Sequence, residues 1–283
     1  MGNGVKIYVD VFRPEGATEK LSVIFTFSPY GKHGLKTFEI FPGADVPKAL
    51  ISKYAVWESI DFVVWTEIGY AVINGDCRGS WGSEGDQEVF SLQESEDGHD
   101  CIEWAGKLPW SNGKVGMIGV SYLAIVQWGI TAQKPPHLAA FCPWERFTDF
   151  YRDYTHHGGF PDGNQCAYRN LSKIIAPAYI VADWGDHSMH TGGTLNGFMG
   201  ISSKEKWLEV HGRKKWRYFF EQESVASQDA FFKKYLKGEA SEIDRLPRVR
   251  LEIRDRAYES TVQDDCVRFY HNFNEDTGLT GNM

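Results

Sequence analysis

The stretch GMIGVSYLAIVQW, residues 116–128, constrains the fold more than any other part of this chain. Its first half is a short apolar run typical of a buried strand, and its second half is an apolar run typical of a helix. A strand that passes directly into a helix needs a small residue at the turn, here Gly119, and it presents the Ser121 hydroxyl at the start of the helix. Main-chain N–H groups and the helix dipole at that point can stabilise a negatively charged oxygen.

Two interpretations of Ser121 remain open from this stretch alone. The residue is either a catalytic nucleophile or a small side chain that packs at a crowded strand–helix junction. The nucleophile pattern G-x-S-x-G has a second glycine, and Leu123 stands in its place here. The order of strand, turn and helix supports the catalytic interpretation without deciding between the two.

Strand-like and helix-like segments alternate along the chain. The strand-like segments are VKIYVDVFRP, LSVIFTFSPYG, YAVINGDCRG, KVGMIGV, LAAFCPW and PAYIVADWGD. The helix-like segments are DGHDCIEWAGKLPW, SYLAIVQWGITAQ and SQDAFFKKYLKGE. Apolar strands that alternate with helices form a mostly parallel sheet with helices on both faces. Together with the turn at Ser121, this alternation predicts an α/β protein with the α/β-hydrolase fold.

Charge and cysteine content limit the partners and the compartment. The net charge of −8 argues against binding to nucleic acid or to an anionic membrane, which needs a basic excess. The chain has no apolar run near the ~20 residues of a membrane span, and its first residues resemble a strand and turn rather than an export signal. Its five cysteines form no C-x-x-C pair, which favours reduced thiols. We therefore expect a cytoplasmic protein.

Several segments of the sequence resemble one family when they are taken in order. They are NGVKIYVDVFRP, SPYGKHG, GYAVINGDCRGSWGSEG, GVSYLAIVQW, PAYIVADWGD and SSKEKWLEVHG. The R-G-x-x-x-S-x-G stretch from Arg78 to Gly85 and the tyrosine of S-P-Y-G-K are the most specific of these features. The chain is thereby similar, over nearly its whole length, to the cocaine esterase and X-prolyl dipeptidyl aminopeptidase family of serine hydrolases.

The resemblance implies a role for five residues. Ser121 matches the nucleophile, His211 the general base and Asp186 the acid that orients the imidazole, in the chain order expected of this fold. Tyr30 matches a tyrosine whose hydroxyl donates to the tetrahedral intermediate, together with the main-chain N–H of Tyr122. A neutral O–H group directed at a developing oxyanion is stabilising without a charge.

Some of these positions have competing interpretations. Asp183 is a second candidate for the acid, although Asp186 is favoured because triad acids stand at strand ends rather than inside strands. Tyr30 could be a packing aromatic. His187 and His190, in HSMH, have a spacing that suits a metal, but the sequence suggests no third ligand. We expect neither a metal nor a cofactor.

The predicted domain organisation is a hydrolase domain over residues 1–240, in which 145–172 are the remnant of a cap region, followed by a partial β-rich, jelly-roll-like module over 241–283. In the family a cap of several helices and a large jelly roll are expected, and residues 158–170 are too few for such a cap. Two explanations remain open for these short regions.

The first explanation is a genuinely reduced chain, which would cover its bared apolar faces by pairing with another copy. The second is a longer polypeptide with segments missing from the sequence, which predicts breaks in the chain near residues 163–168 and 264–267. The choice between the two also decides whether a homo-oligomer is expected.

The function expected from these observations is hydrolysis of an ester or amide of a small acyl substrate through an acyl-enzyme. An acyltransferase that uses the same serine, or a non-catalytic relative, are the alternatives. An X-prolyl peptidase would need an acidic group that binds the substrate ammonium, and the sequence identifies none. An esterase is therefore favoured over a peptidase.

Overall fold

The computed structural model describes residues 1–33, 36–41, 43–156, 170–186, 188–254, 266–274 and 278–280. The breaks predicted near 163–168 and at 264–265 lie outside these described residues. The division into two domains at residue 240 and the homo-oligomer also stay predictions.

Across the residues that the structure describes, ten strands form the sheet. They are β1 (Val9–Phe12), β2 (Leu21–Ser28), β3 (Ala71–Asp76), β4 (Ser111–Val120), β5 (Leu138–Trp144), β6 (Ala178–Asp183), β7 (Lys206–His211), β8 (Val249–Arg254), β9 (Cys266–Asn274) and β10 (Gly278–Thr280). Their order is β1-β3-β2-β4-β5-β6-β7-β8-β9-β10. The strands from β3 to β8 in this order pair in parallel, whereas β1, β9 and β10 pair antiparallel. The predicted mostly parallel sheet is therefore confirmed.

Seven α-helices flank this sheet in the described part of the chain. They are α1 (Lys36–Ile40), α2 (Phe62–Glu67), α3 (Leu92–Gly106), α4 (Tyr122–Ala132), α5 (Thr191–Gly200), α6 (Lys215–Phe220) and α7 (Gln222–Phe232). The sheet separates two apolar cores: one includes side chains of α3 and α4, and the other includes side chains of α2, α6 and α7. Among the described residues, none of the helices has the length and apolar character that crossing a bilayer requires.

Helix α3 begins earlier than the sequence segment DGHDCIEWAGKLPW indicates. The Ser91 side chain accepts the main-chain N–H of Glu94 at 3.0 Å, and the Glu94 carboxylate accepts the N–H of Phe90 at 2.8 Å. These reciprocal bonds satisfy N–H groups that have no partner inside the helix. The polar first turn from Leu92 onwards is helical because of this cap.

The segment after residue 240 continues the main sheet. Strand β8 pairs in parallel with β7, with Leu208 opposite Val249 and Val210 opposite Leu251. The residues predicted to begin a separate β-rich module thus extend the same sheet beyond β7, through β8, β9 and β10. From β2 to β8, the carboxyl ends of the strands lie along one edge, where ligand sites of parallel sheets form.

Candidate active site

The turn at Ser121 is strained in the way a presented nucleophile requires. Ser121 has φ 53° and ψ −112°, a backbone conformation that residues other than glycine rarely adopt. Its N–H donates to the Trp144 carbonyl at 2.9 Å, which ties the turn to the neighbouring strand β5. A Cβ added to Gly119, where φ is 156°, would lie 2.3 Å from Leu123 Cβ. The close approach of Leu123 explains why the turn needs glycine before the serine, as predicted.

The imidazole beside Ser121 is that of His190. The distance from Ser121 Oγ to His190 Nε2 is 3.3 Å, and the His190 side chain is almost fully buried. Burial lowers the pKa of His190 well below its usual range, and the Lys215 and Arg146 cations lower it further. The imidazole is therefore neutral near pH 7 and able to take a proton from the serine hydroxyl.

His190 was considered in the sequence only for a metal site with His187, which lies outside the described residues. Within the described ranges, no group of three or more His, Cys, Asp or Glu side chains has a metal-binding arrangement. The sequence did contain a usable signal. The spacing Asp186-x-x-x-His190 spans one helical turn, and the His190 N–H donates to the Asp186 carbonyl at 2.8 Å.

Asp186 stands just after β6, in the short helical turn Trp184–Asp186, where the sequence predicts the acid. Its Oδ2 is 3.9 Å from His190 Nε2 and also forms an ion pair with Lys215 Nζ. Nitrogen Nε2 thus faces both Ser121 and Asp186. Because a triad acid ordinarily binds the other ring nitrogen, this arrangement differs from the expected one.

His211 is the last residue of β7 and is fully buried. Its Nδ1 accepts the N–H of Arg213 at 3.2 Å, and its Nε2 lies 3.7 Å from Glu145 Oε1. The ring also packs against Tyr218, with the centroids 4.6 Å apart. These neighbours hold the His211 ring at the end of β7, and the imidazole that the structure places against Ser121 Oγ is that of His190. The role of His211 as the base stays a prediction.

Acidic groups surround the Lys215 cation at this edge. Glu145, directly after β5, is fully buried; burial raises its pKa well above the usual range, Asp183 raises it further, and Lys215 opposes the shift. Asp183, the alternative acid, ends β6 and its Oδ1 accepts the N–H of Gly185 at 2.7 Å. Asp183 therefore caps the turn that carries Asp186.

Tyr30 and Tyr122, the two residues of the oxyanion prediction, pack against each other. Their ring centroids are 5.7 Å apart in an edge-on arrangement. Tyr30 follows β2 in the turn beside the carboxyl end of the sheet, and burial together with Glu58 raises the pKa of its hydroxyl. That hydroxyl therefore remains a neutral donor at neutral pH. The phenol of Tyr122 donates to Glu94, and the oxyanion prediction concerns the main-chain N–H of Tyr122 instead.

Glu58 is a site residue that the sequence analysis missed. Its carboxyl interacts with the Tyr30 hydroxyl and with the main-chain N–H of Tyr122, and its Oε1 accepts the Trp216 indole N–H at 3.3 Å. Burial raises the pKa of Glu58 to about 7, although Lys215 opposes the shift. The segment AVWESIDF carries no motif, and only a glutamate inside an apolar run hints at a special role.

These features define the class of the protein. A mostly parallel sheet with helices on both faces, and a strained serine between β4 and α4, form an α/β-hydrolase. Residues 3–169 match the family model described as X-Pro dipeptidyl-peptidase (S15 family). The chain belongs to this family.

Individual relatives agree with this assignment. The chain is 31% identical over 152 residues to cocaine esterase from Rhodococcus sp. (strain MB1 Bresler), a match that covers 54% of this chain and 23% of the relative. It is 32% identical to a CocE/NonD family hydrolase from Staphylococcus aureus, whose crystal structure superposes with a TM-score of 0.87 over 96% of this chain and 54% of that chain. An aminopeptidase from a Thaumarchaeota archaeon, at 17% identity and a TM-score of 0.63, shares the fold. This chain therefore spans only about half of the staphylococcal protein and less of the esterase.

Proposed function

We propose that the protein is a serine hydrolase that cleaves an ester of a small acyl substrate through an acyl-enzyme on Ser121. The observation that carries the proposal is the strained serine turn with a neutral, buried imidazole 3.3 Å from its hydroxyl. A serine hydroxyl is a weak nucleophile unless a base removes its proton as it attacks, and this contact supplies such a base.

The proposed reaction begins when Ser121 Oγ attacks the acyl carbon and passes its proton to His190 Nε2. The carbonyl oxygen becomes an oxyanion, to which the Tyr30 hydroxyl and the Tyr122 N–H donate hydrogen bonds. The imidazolium then gives its proton to the leaving oxygen as the bond to the acyl carbon breaks. Water, deprotonated by the same imidazole, releases the acid and restores the serine.

Asp186 stabilises the imidazolium in this scheme. Its carboxylate lies 3.9 Å from Nε2, and the attraction between the two groups strengthens when the ring gains a positive charge. The ion pair with Lys215 holds the carboxylate in this position. Lys215 also opposes protonation of the ring, so His190 is a weak base. An ester needs less activation of the serine than an amide, because conjugation with nitrogen stabilises the amide carbonyl, so a weak base is sufficient for an ester. His211 remains a predicted base from the family resemblance, and the two histidines are distinguished by mutation below.

A fluorophosphonate probe tests the proposal directly. The probe phosphonylates an activated serine, and peptide mass spectrometry identifies the labelled residue. We expect the label on Ser121, and we expect Ser121→Ala to lose the label and to lower kcat for p-nitrophenyl acetate by about 10⁴-fold or more. Labelling of Ser121→Ala at a different serine to the same extent would contradict the assignment.

The matched control is Ser111→Ala. Ser111 is a buried serine at the opposite end of the same strand β4, and its Oγ accepts the N–H of Gly113 at 3.1 Å. It should keep both labelling and turnover, since it lies a full strand length from the reacting atoms. Release of free acetate, measured beside nitrophenol, distinguishes hydrolysis from transfer to another acceptor.

A further inference from the structure

Glu58 binds the chain on both sides of the nucleophile. Its main-chain carbonyl accepts the N–H of Val120 at 2.9 Å, and its carboxyl interacts with the N–H of Tyr122. Val120 and Tyr122 are the immediate neighbours of Ser121. Glu58 itself has φ 61°, a strained conformation that tertiary contacts must maintain. The Glu58 carboxyl is thus fixed against the main chain of the serine turn.

Groups from two parts of the fold act on this carboxyl. The Tyr30 hydroxyl and the Tyr122 N–H face it from the sheet edge, and Lys215 and the Trp216 indole face it from α6. The first two are the donors assigned above to the oxyanion. The carboxyl therefore lies beside the oxyanion donors. Its protonation state decides whether it accepts hydrogen bonds there or donates one.

We propose that the neutral carboxylic acid of Glu58 is a third hydrogen-bond donor to the oxyanion that forms on the substrate when Ser121 attacks. This inference rests on the proposed function, because it needs an oxyanion at Ser121. No covalent step involves Glu58, and its proton stays on the carboxyl throughout. Its O–H turns from its resting partners to the oxyanion as negative charge develops there.

The charge argument requires the neutral form. An ionised carboxylate at this place would compete with the oxyanion for the Tyr30 and Tyr122 donors and would repel it at short range. A neutral acid has the opposite effect, because its O–H donates and carries no charge. A pKa of about 7 for Glu58 makes the neutral form accessible at neutral pH, and the developing oxyanion favours it further.

The alternative is a structural carboxylate that only balances the charge of Lys215. The two roles differ in their pH dependence. Under the proposal, kcat/KM falls as pH rises above about 7, because ionisation of Glu58 removes the donor. If Glu58 has only the structural role, its replacement does not change how kcat/KM depends on pH above about 7.

Glu58→Gln tests the proposal, since glutamine keeps a hydrogen-bond donor and does not ionise. The activity of both proteins towards p-nitrophenyl acetate is measured from pH 6 to pH 8.5. The neutral fraction of a group with a pKa of about 7 falls by about 30-fold over this range, so wild-type kcat/KM should fall with it. We therefore expect kcat/KM of E58Q, divided by that of the wild type, to rise by about 30-fold. The control is Glu94→Gln, another buried glutamate near Tyr122, which should keep the wild-type alkaline limb. A constant ratio for E58Q would overturn the inference.

Two further readouts keep the outcomes separate. Fluorophosphonate labelling of Ser121 in the same wild-type sample reports the proposed function. If Ser121 is labelled but the alkaline limb of kcat/KM is the same in E58Q and the wild type, only the proposed role of Glu58 is overturned. If Ser121 is not labelled, both the proposed function and the role of Glu58 are overturned. If E58Q does not fold, the wild type alone tests the proposal. Its infrared spectrum is then recorded at pH 8 before and after phosphonylation of Ser121. The phosphonyl oxygen mimics the oxyanion, so we expect the protonated-carboxyl band to grow, and an unchanged band contradicts the proposal.

Discussion

Ser121 Oγ and His190 Nε2 are 3.3 Å apart, and the histidine is held there by a main-chain hydrogen bond to the carbonyl of Asp186. Serine, acid and imidazole thus come from two strand ends, those of β4 and β6. The histidine that the family resemblance selects, His211, stands at the end of the next strand, with its Nε2 3.7 Å from Glu145 Oε1. Two imidazoles are therefore candidates for one proton transfer.

The first prediction distinguishes these two histidines. His190→Gln should lower kcat for p-nitrophenyl acetate by about 10³- to 10⁴-fold, because it removes the base in contact with the serine. His211→Gln should have a smaller effect on kcat and a larger one on the free energy of unfolding, since His211 is buried between Glu145 and Tyr218. Steady-state kinetics and urea denaturation measure the two effects. A large loss of kcat in H211Q with near-normal kcat in H190Q would instead identify His211 as the base.

The second prediction concerns the pH dependence of the base. Burial, then Lys215, then Arg146 lower the pKa of His190, so the wild type should keep its activity as the pH falls below the usual histidine range. Removing the cation in Lys215→Met stabilises the imidazolium and raises the pKa of His190. The acid limb of kcat/KM should therefore move to higher pH in the variant.

Lys214→Met is the matched control for that experiment. Lys214 is the preceding residue, and its ammonium forms an ion pair with Asp45 at 3.2 Å on the surface. Its loss should leave the acid limb in place, because an exposed charge is screened by solvent. An acid limb that is the same in Lys215→Met and in the wild type would show that Lys215 does not act on the base.

The serine turn was predictable because its causes are local. A buried strand, the turn glycine Gly119 and an apolar helix stand within thirteen residues, and their sequence pattern determines the geometry. The base was not predictable in the same way. His190 follows β6 and His211 is the last residue of β7, and both strands end at one edge of the sheet. Only the direction of each side chain decides which imidazole reaches Ser121. Glu58 was hidden for a related reason, since it meets the turn through contacts between distant parts of the chain.

The third prediction tests the close packing at the turn. Gly119→Ala places a Cβ 2.3 Å from Leu123 Cβ at a φ of 156°, and we expect the free energy of unfolding to fall by about 2–4 kcal/mol. A double-mutant cycle with Leu123→Gly isolates the contact, because glycine removes the Cβ that the new methyl meets. The combined variant should be more stable than the sum of the two single effects by at least about 1 kcal/mol. Additive free energies, from urea denaturation, would show that Leu123 is not the obstacle.

The fourth prediction concerns the turn that carries Tyr30. Gly31 has φ 93°, and an added Cβ would lie 2.6 Å from Cε2 of Trp81, whose indole N–H donates to the Pro29 carbonyl at 2.9 Å. The indole therefore holds the turn from both sides of Tyr30. Gly31→Ala forces the turn or the indole to move and displaces the Tyr30 hydroxyl. Because that hydroxyl is proposed to stabilise the oxyanion, we expect kcat to fall by about 10- to 100-fold with little change in KM.

Gly16→Ala separates this effect from backbone strain alone. Gly16 also has a positive φ, 70°, but a Cβ there meets no atom within 4 Å, so it carries the strain without the collision. The control should lose some stability and keep kcat, while Gly31→Ala loses kcat. Adding Trp81→Ala to Gly31→Ala removes the colliding ring, and it should recover part of the lost kcat if the collision displaces Tyr30. Equal kcat values for Gly31→Ala and Gly16→Ala would mean that the Trp81 contact does not position the tyrosine.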